Sequence, residues 1–221
     1  MIGLFLNTAS SYLHVGLMVD GLLKDQIYEK FDHDLSKMAL VRVSELLRRN
    51  EILPFNVDRV YVVEGPGSFT GLRVGVTIAK TFAWGLDKEL YALSNLFIMA
   101  SSVVGYDYVI PIIDARRGYV YAGIYNDFGK AVMDDCYISF KELQERVAEL
   151  CGTFAYVKLD YDNFAEFFVS DNNREIVLNY VPNLNNSWRY LDCEKVDYFS
   201  FEPKYLKKTE AEENLENDTK H

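Results

Sequence analysis

The stretch Val62-Val-Glu-Gly-Pro-Gly-Ser-Phe-Thr-Gly-Leu-Arg-Val-Gly-Val-Thr77 constrains the fold of this chain more than any other. Three glycines, one proline and two hydroxyl residues separate a β-branched run from a long apolar stretch. That order predicts a strand, a tight glycine turn and a helix. Such a junction gathers unpaired backbone N–H groups at a helix start, where they can hold an anion or dock against another backbone.

The spacing of the glycines bears on that choice. Gly65, Gly67 and Gly71 give GxGxxxG with Pro66 inside it, whereas the dinucleotide fingerprint is GxGxxG. A phosphate-binding P-loop ends in GK[ST], and here Leu72-Arg73 follow Gly71. Neither nucleotide motif is met, so packing and protein contact are favoured over catalysis.

The helix that follows is expected over 71–86, with Thr70 as N-cap and Phe69 and Val74 in the staple positions around it. On a wheel of 100° per residue, Arg73, Thr77, Lys80, Thr81 and Trp84 form one polar stripe. The rest is apolar over about 200° of the circumference, roughly twice what one packed surface requires. Gly71, Gly75, Ala79 and Ala83 recur every fourth residue as a small-residue stripe. Each glycine costs a helix about 1 kcal/mol relative to alanine, so close approach of another element is the expected compensation.

Around this segment the chain alternates strands and helices. Strands are expected at 2–7, 13–19 and 22–28, with Asp20-Gly21 closing a hairpin. A helix over 35–50 is expected to start at Asp34, with Leu35, Ala39, Val43, Leu46 and Leu47 on one face. Met38 and Val41 break the otherwise charged opposite face, as a contact patch would. Strands at 57–63 and 89–93 and a helix over 95–104 complete a first lobe, residues 1–104. Strands at 108–113, 119–125 and 132–138, a helix over 140–150 capped by Ser139, a strand at 154–159 and a short helix over 163–169 build a second, residues 105–206. Residues 207–221, charged and without aromatics, read as a disordered tail.

With 221 residues and 49% hydrophobic content the chain can bury a substantial core as one large domain or two lobes. A net charge of −10 makes it a poor electrostatic partner for nucleic acid. The three cysteines show no CxxC spacing and read as space-filling thiols of a reducing compartment. His14, His33 and His221 are too far apart to build an imidazole metal site. The chain turns polar at Asn7, too early for a signal peptide, and Lys80 interrupts the longest apolar run. A cytoplasmic protein with no membrane segment is expected.

Other chemistry-bearing residues are sparse. Asn7 stands where some nucleotide-binding folds place an acid for a metal-bound phosphate, and an amide brings no charge to that task. His33-Asp34 could be a base with an orienting carboxylate, although such pairs more often begin a helix. Asp114, Arg116 and Arg117 form either a charged contact site or an ordinary Asp-opened turn. Ser68 lies among glycines without the GxSxG pattern of a hydrolase.

The run Gly65-Pro-Gly-Ser-Phe-Thr-Gly-Leu-Arg-Val-Gly75, with Ala79-Lys80, closely resembles the signature of the bacterial TsaB family. Ile2–Ala9, Ile113-Asp-Ala-Arg-Arg-Gly-Tyr-Val-Tyr121 and Glu202-Pro-Lys-Tyr-Leu206 agree with it. The resemblance is good to about residue 125 and returns near 202. It implies an α/β protein of actin/Hsp70-like (ASKHA) fold, two lobes each with a mixed β-sheet flanked by helices. It implies a non-catalytic subunit that partners TsaD in threonylcarbamoyladenosine modification of tRNA and supports assembly with TsaE. Family members pair through first-lobe helices, as homodimers or as TsaB–TsaD heterodimers. ATP and magnesium are then expected on partner subunits, with no cofactor or metal on this chain and tRNA met only through the complex. Two alternatives remain, an active ASKHA-type ATPase or kinase and an M22-type glycoprotease. The second presupposes an HxxxH motif that the chain lacks.

The residues expected at the partner contact are Met38, Val41, Gly65, Pro66, Gly67, Ser68, Phe69, Thr70, Gly71, Leu72, Arg73, Gly75, Val76 and Ala79, with Asp114, Arg116 and Arg117 as a second-lobe contact. On this reading Gly75→Leu blocks a partner helix while the lobe stays folded.

Overall fold

The structure, a computed structural model, describes residues 1–31, 34–159, 175–185 and 193–207. His33, the expected helix over 163–169 and the tail from residue 208 lie outside these residues.

The chain opens with an antiparallel meander of β1 (Ile2–Asn7), β2 (Tyr12–Val19) and β3 (Leu22–Lys30). Asp20 and Gly21 take φ of 51° and 80°, the left-handed pair a two-residue hairpin requires. After α1 (Leu35–Arg49), β4 (Arg59–Gly65) returns parallel to β1. It sets Leu6 beside Val62 on one side and Val15 on the other. The glycine turn leads into α2 (Phe69–Leu86), then into β5 (Glu89–Ser94), parallel to β4. Helix α3 (Asn95–Ser101) connects to a second sheet.

That sheet contains β6 (Tyr108–Asp114), β7 (Tyr119–Asn126), β8 (Ala131–Ser139), β9 (Phe154–Lys158) and β10 (Glu175–Asn179), with α4 (Phe140–Ala148) between β8 and β9. Its order is β10-β9-β6-β7-β8. A last strand, β11 (Glu194–Val196), leaves this region and pairs antiparallel with β5, so the first sheet runs β11-β5-β4-β1-β2-β3. The fold is thus two mixed sheets with flanking helices, the architecture that the resemblance implies.

Three buried clusters tie the layers together. Leu4, Leu6, Val15 and Val62 of the first sheet meet Val43 and Leu46 of α1 and Val76 and Ala83 of α2 on its outer face. Phe5, Tyr61 and Val63 meet Leu96 and Ile98 of α3 and Val109 of the second sheet on its inner face. Ile110, Val120 and Ile138 meet Leu143 and Val147 of α4 beyond. Val and Ile side chains of consecutive parity fall on opposite faces, which lets one strand serve two clusters.

Several boundaries differ from those expected. Helix α2 starts two residues early because Ser68, not Thr70, caps it, its Oγ accepting from Gly71 N at 3.3 Å. The staple built on a Thr70 cap is therefore absent. Asp34 precedes α1 in a left-handed conformation (φ 54°) with no side-chain cap bond. Ser139 does cap α4, accepting from Glu142 N at 3.1 Å. Strands β10 and β11, in the Asn-rich stretch where sequence signals fade, were not anticipated. None of the three cysteines forms a disulfide: Cys136 and Cys193 are half-buried, and Cys151 is exposed rather than space-filling.

Candidate functional site

The glycine loop is pressed against the turn between β1 and β2. A Cβ on Gly67 would fall 2.3 Å from Ala9 O, one on Gly71 2.0 Å from Thr8 O, and one on Gly75 2.2 Å from Thr8 Oγ1. No side chain fits such separations. Hydrogen bonds fix the approach: Ser68 N donates to Ala9 O at 2.7 Å, and Thr8 Oγ1 donates to Gly71 O at 2.7 Å. Gly65 ends β4 at φ 142°, and its Cβ would meet Lys204 O at 2.5 Å. The loop docks against backbone, and the element that the small-residue stripe admits is the chain's own. The expectation that Gly75→Leu leaves the lobe folded is overturned.

Asn7 closes the same corner. Its buried amide donates to Asn95 Oδ1 at 3.1 Å and accepts from Ala9 N at 2.9 Å, while Asn95 Nδ2 donates to Pro66 O at 2.9 Å. Both ends of the Asn7 side chain are engaged in tying β1 to α3 and the glycine turn. Among the described residues no cluster of three or more His, Cys, Asp and Glu side chains is placed to hold a metal ion.

The apolar arc of α2 divides into two flanks. Gly71, Leu72, Gly75, Val76, Ala79 and Ala83 are buried by the chain's own sheet and turn. Phe69, Val74, Ile78 and Phe82 turn away from that corner and line, with Leu40 and Val43 of α1, a largely apolar groove of about 700 Å³. Leu4, Leu6 and Val60 of the first sheet also line it. Leu40 stands 56% exposed and Phe69 46% exposed at its edges.

The residues expected at a partner contact therefore separate. Gly65, Pro66, Gly71, Leu72, Gly75, Val76 and Ala79 are buried, and Gly67 is half-buried against Ala9. Ser68, Phe69, Thr70 and Arg73 are exposed at the start of α2. On α1, Val41 is exposed, while Met38 packs on the first lobe's own core. Leu40, Ile78 and Phe82, which also line the groove, are not among the expected residues. Leu40 lies three residues before core-facing Val43, and Ile78 and Phe82 repeat the i, i+4 step of Val74. That step along the edge of the arc is the signal that could have found them.

A C-terminal strap finishes the rim. Lys204 N donates to Glu64 O at 2.9 Å, and Lys80 Nζ donates to Phe201 O at 2.7 Å. Tyr205 then lies against Phe69, ring centroids 5.0 Å apart. The Arg73 guanidinium sits 3.9 Å above the Phe69 ring, and its Nε donates to Tyr205 Oη at 3.2 Å.

Elsewhere, Asp114 Oδ1 accepts from Arg116 N at 2.7 Å, and Arg116 and Arg117 take φ of 67° and 55°. Asp114 thus closes the turn that presents two exposed arginines. Between the lobes, Asp135 accepts from Ser94 Oγ and, at 2.5 Å, from Tyr125 Oη. Burial pushes the Asp135 carboxyl up, against the opposing effect of those two donors, and burial also pushes Glu64 up.

The comparisons accord with this geometry. The family model described as TsaD, tRNA N6-adenosine threonylcarbamoyltransferase, matches residues 29–170. The tRNA threonylcarbamoyladenosine biosynthesis protein TsaB of Bacillus subtilis is 40% identical over 125 residues, 55% of this chain and 54% of that protein. TsaB of Escherichia coli is 27% identical over 161 residues, 70% of this chain and 69% of that one. The matched region thus spans about half the length of the Bacillus relative. YeaZ from Pseudomonas aeruginosa superposes with a TM-score of 0.74 over 93% of this chain and 99% of that one, at 23% identity, a likeness of fold. Among the described residues no helix is long and apolar enough to cross a membrane. The family model covers well over half of the sequence, and the chain belongs to this threonylcarbamoyltransferase-domain family, on its TsaB/YeaZ branch.

Proposed function

We propose that this chain is a non-catalytic subunit of the machinery that makes threonylcarbamoyladenosine in tRNA, and that it docks TsaD through the groove between α1 and α2. The observation that carries the reading is the groove itself: an apolar surface with Leu40 and Phe69 exposed beside it and no element of the described chain covering it. Covering one such large side chain stabilises a complex by about 1.5–3 kcal/mol, so a helix laid along the groove has a substantial driving force. The first lobe supplies the docking face, and the second lobe, with its Asp114–Arg117 turn, faces the rest of the assembly. TsaE joins the assembled pair, and ATP and magnesium belong to the partner subunits. The tRNA is met through the complex. Without TsaD, the same groove can take a second copy of this chain.

The competing reading of an active ATPase or kinase needs the glycine loop to cradle phosphate. That loop is filled by Thr8 and Ala9 backbone, and the Asn7 amide is committed at both ends, which supports a structural corner.

The test is co-expression with the cognate TsaD followed by size-exclusion chromatography. The wild-type pair is expected to co-elute. Leu40→Asp and Thr77→Arg, at exposed groove positions, are expected to abolish co-elution while the melting temperature stays within a few degrees of wild type. Undiminished co-elution of both variants overturns the docking surface, and Mg-ATP turnover by the isolated chain overturns the non-catalytic assignment.

A further inference from the structure

Resting on the docking role proposed for the groove, we infer that Arg73 is an anchor for a carboxylate of the partner, and that Phe69 and Tyr205 hold it ready. Arg42, Arg49, Arg59 and Arg146 each pair with a carboxylate at 2.5–2.9 Å. Arg73 does not, among the described residues: it is held over the Phe69 ring and bonded to the Tyr205 phenol. Both contacts fix where the guanidinium sits, and neither neutralises it. Three or more N–H donors of its fork remain for a bidentate acceptor.

The surroundings add to the positive field. Arg73 lies in the second turn of α2, an 18-residue helix whose first turn contains no acidic residue, so the amino end of that helix is uncompensated too. The chain as a whole carries −10, which makes an unpaired, immobilised arginine beside an apolar groove conspicuous. Phe69 and Tyr205 are 46% and 41% exposed, so Phe, Arg and Tyr share one rim. Such aromatic and arginine side chains dominate binding energy at the centres of protein interfaces. The partner surface that fits is an apolar helical ridge for the groove with an Asp or Glu at the end that meets Arg73. A second copy of this chain is the alternative occupant.

Two of the three anchor residues stand on α2, and the third arrives on the strap that also fastens to Glu64 O and Lys80. Tyr205 is therefore a positioning residue: its ring lies tilted against Phe69 and its oxygen receives the Arg73 Nε–H.

The measurement is the dissociation constant of the full chain with cognate TsaD across a salt series, with thermal melting as control. Arg73→Met keeps length and apolar contact with Phe69 but removes charge. It is expected to weaken binding by about 30-fold or more and to flatten the salt dependence, as loss of one partner of a desolvated charge pair does. Arg73→Lys, which keeps the charge but loses the fork, is expected to recover part of that loss. Tyr205→Phe keeps the ring contact, loses the phenol and is expected to cost only a few-fold. Wild-type affinity and salt dependence in Arg73→Met overturn the anchor. If Leu40→Asp still abolishes binding, that result leaves the groove in place and removes only Arg73. If Arg73→Met disrupts self-association alone and leaves TsaD binding untouched, the acidic partner is a second copy and the inference as stated fails.

Discussion

The two flanks of α2 are both apolar, and they meet opposite fates. One, built of Gly71, Gly75, Ala79 and Ala83 with Leu72 and Val76, is buried, its glycines pressed onto Thr8, Gly71 at the backbone oxygen and Gly75 at the side-chain hydroxyl. The other, built of Phe69, Val74, Ile78 and Phe82, borders an open groove. Small residues here serve closeness within one chain, where a backbone oxygen must approach to hydrogen-bonding distance. Large residues on the facing side leave a shaped apolar surface for something else. Hydrophobicity alone does not distinguish the flanks; what marks the first is a glycine at each point where Thr8 comes close.

The sharpest way to break this contrast is to add bulk to the small flank. Gly75→Leu places a side chain where Thr8 Oγ1 stands 2.2 Å from the first carbon. It is expected to destabilise the fold by about 3 kcal/mol or more in urea unfolding, with any loss of partner binding following from unfolding. An unchanged unfolding midpoint would show that the small flank tolerates bulk and that the two flanks do not differ in this way.

Acid offers a loss of comparable size that is spread through the first lobe rather than placed on the groove. His14 is buried between the Phe5 and Tyr28 rings, and burial lowers its pKa to about 4, partly offset by its bond to Gln26. The folded state stays unprotonated while the unfolded chain takes up a proton below its ordinary value of 6.5. Stability is therefore level above pH 6.5 and falls as pH drops toward 4, by about 3 kcal/mol in total. His14→Gln is expected to flatten that segment of the pH–stability curve. A wild-type curve with no decline over that window would place the imidazole in contact with water.

Two smaller effects calibrate the corner. Thr8→Val removes the side-chain donor to Gly71 O and is expected to cost about 0.5–1.5 kcal/mol, the net worth of one buried hydrogen bond. Ser68→Ala removes the α2 cap and is expected to cost about 1 kcal/mol. On the large flank, by contrast, Thr81→Asp should stay within about 0.5 kcal/mol of wild type, since Thr81 is exposed. Differential scanning calorimetry of the three variants ranks them directly.

Much of the architecture was legible because it is written in local periodicity. Short apolar and β-branched runs mark β1 to β4, the 3.6-residue repeat marks α1, and Asp20-Gly21 marks its hairpin. The excess apolar arc of α2 is divided between residues buried in its own corner and residues that line the groove. Their assignment was not legible, because the neighbour of Gly71 and Gly75 is a turn more than sixty residues away in sequence. A glycine stripe reports that something comes close and is silent on what. Helix α2 was expected to begin at Gly71 because Phe69 and Val74 fit the staple positions around a Thr70 cap, whereas it is Ser68 that points its oxygen at Gly71 N. Strand β11 has three residues, Glu194, Lys195 and Val196, too few to show a period, and its place is set by pairing with β5. The role of Tyr205 was hidden for the same reason, since its partners Phe69 and Arg73 stand over 130 residues earlier.

Strand β11 and the strap after it have a consequence for the order of events in a cell. The first lobe borrows its edge strand, the lid over Gly65 and the Tyr205 ring from residues more than a hundred positions further along the chain. The elements from β1 through α2 can be made well before that rim is finished, which waits until translation has passed Tyr205. A product that stops before Tyr205 would carry an unfinished rim, so the proposed docking face is completed only when the strap arrives.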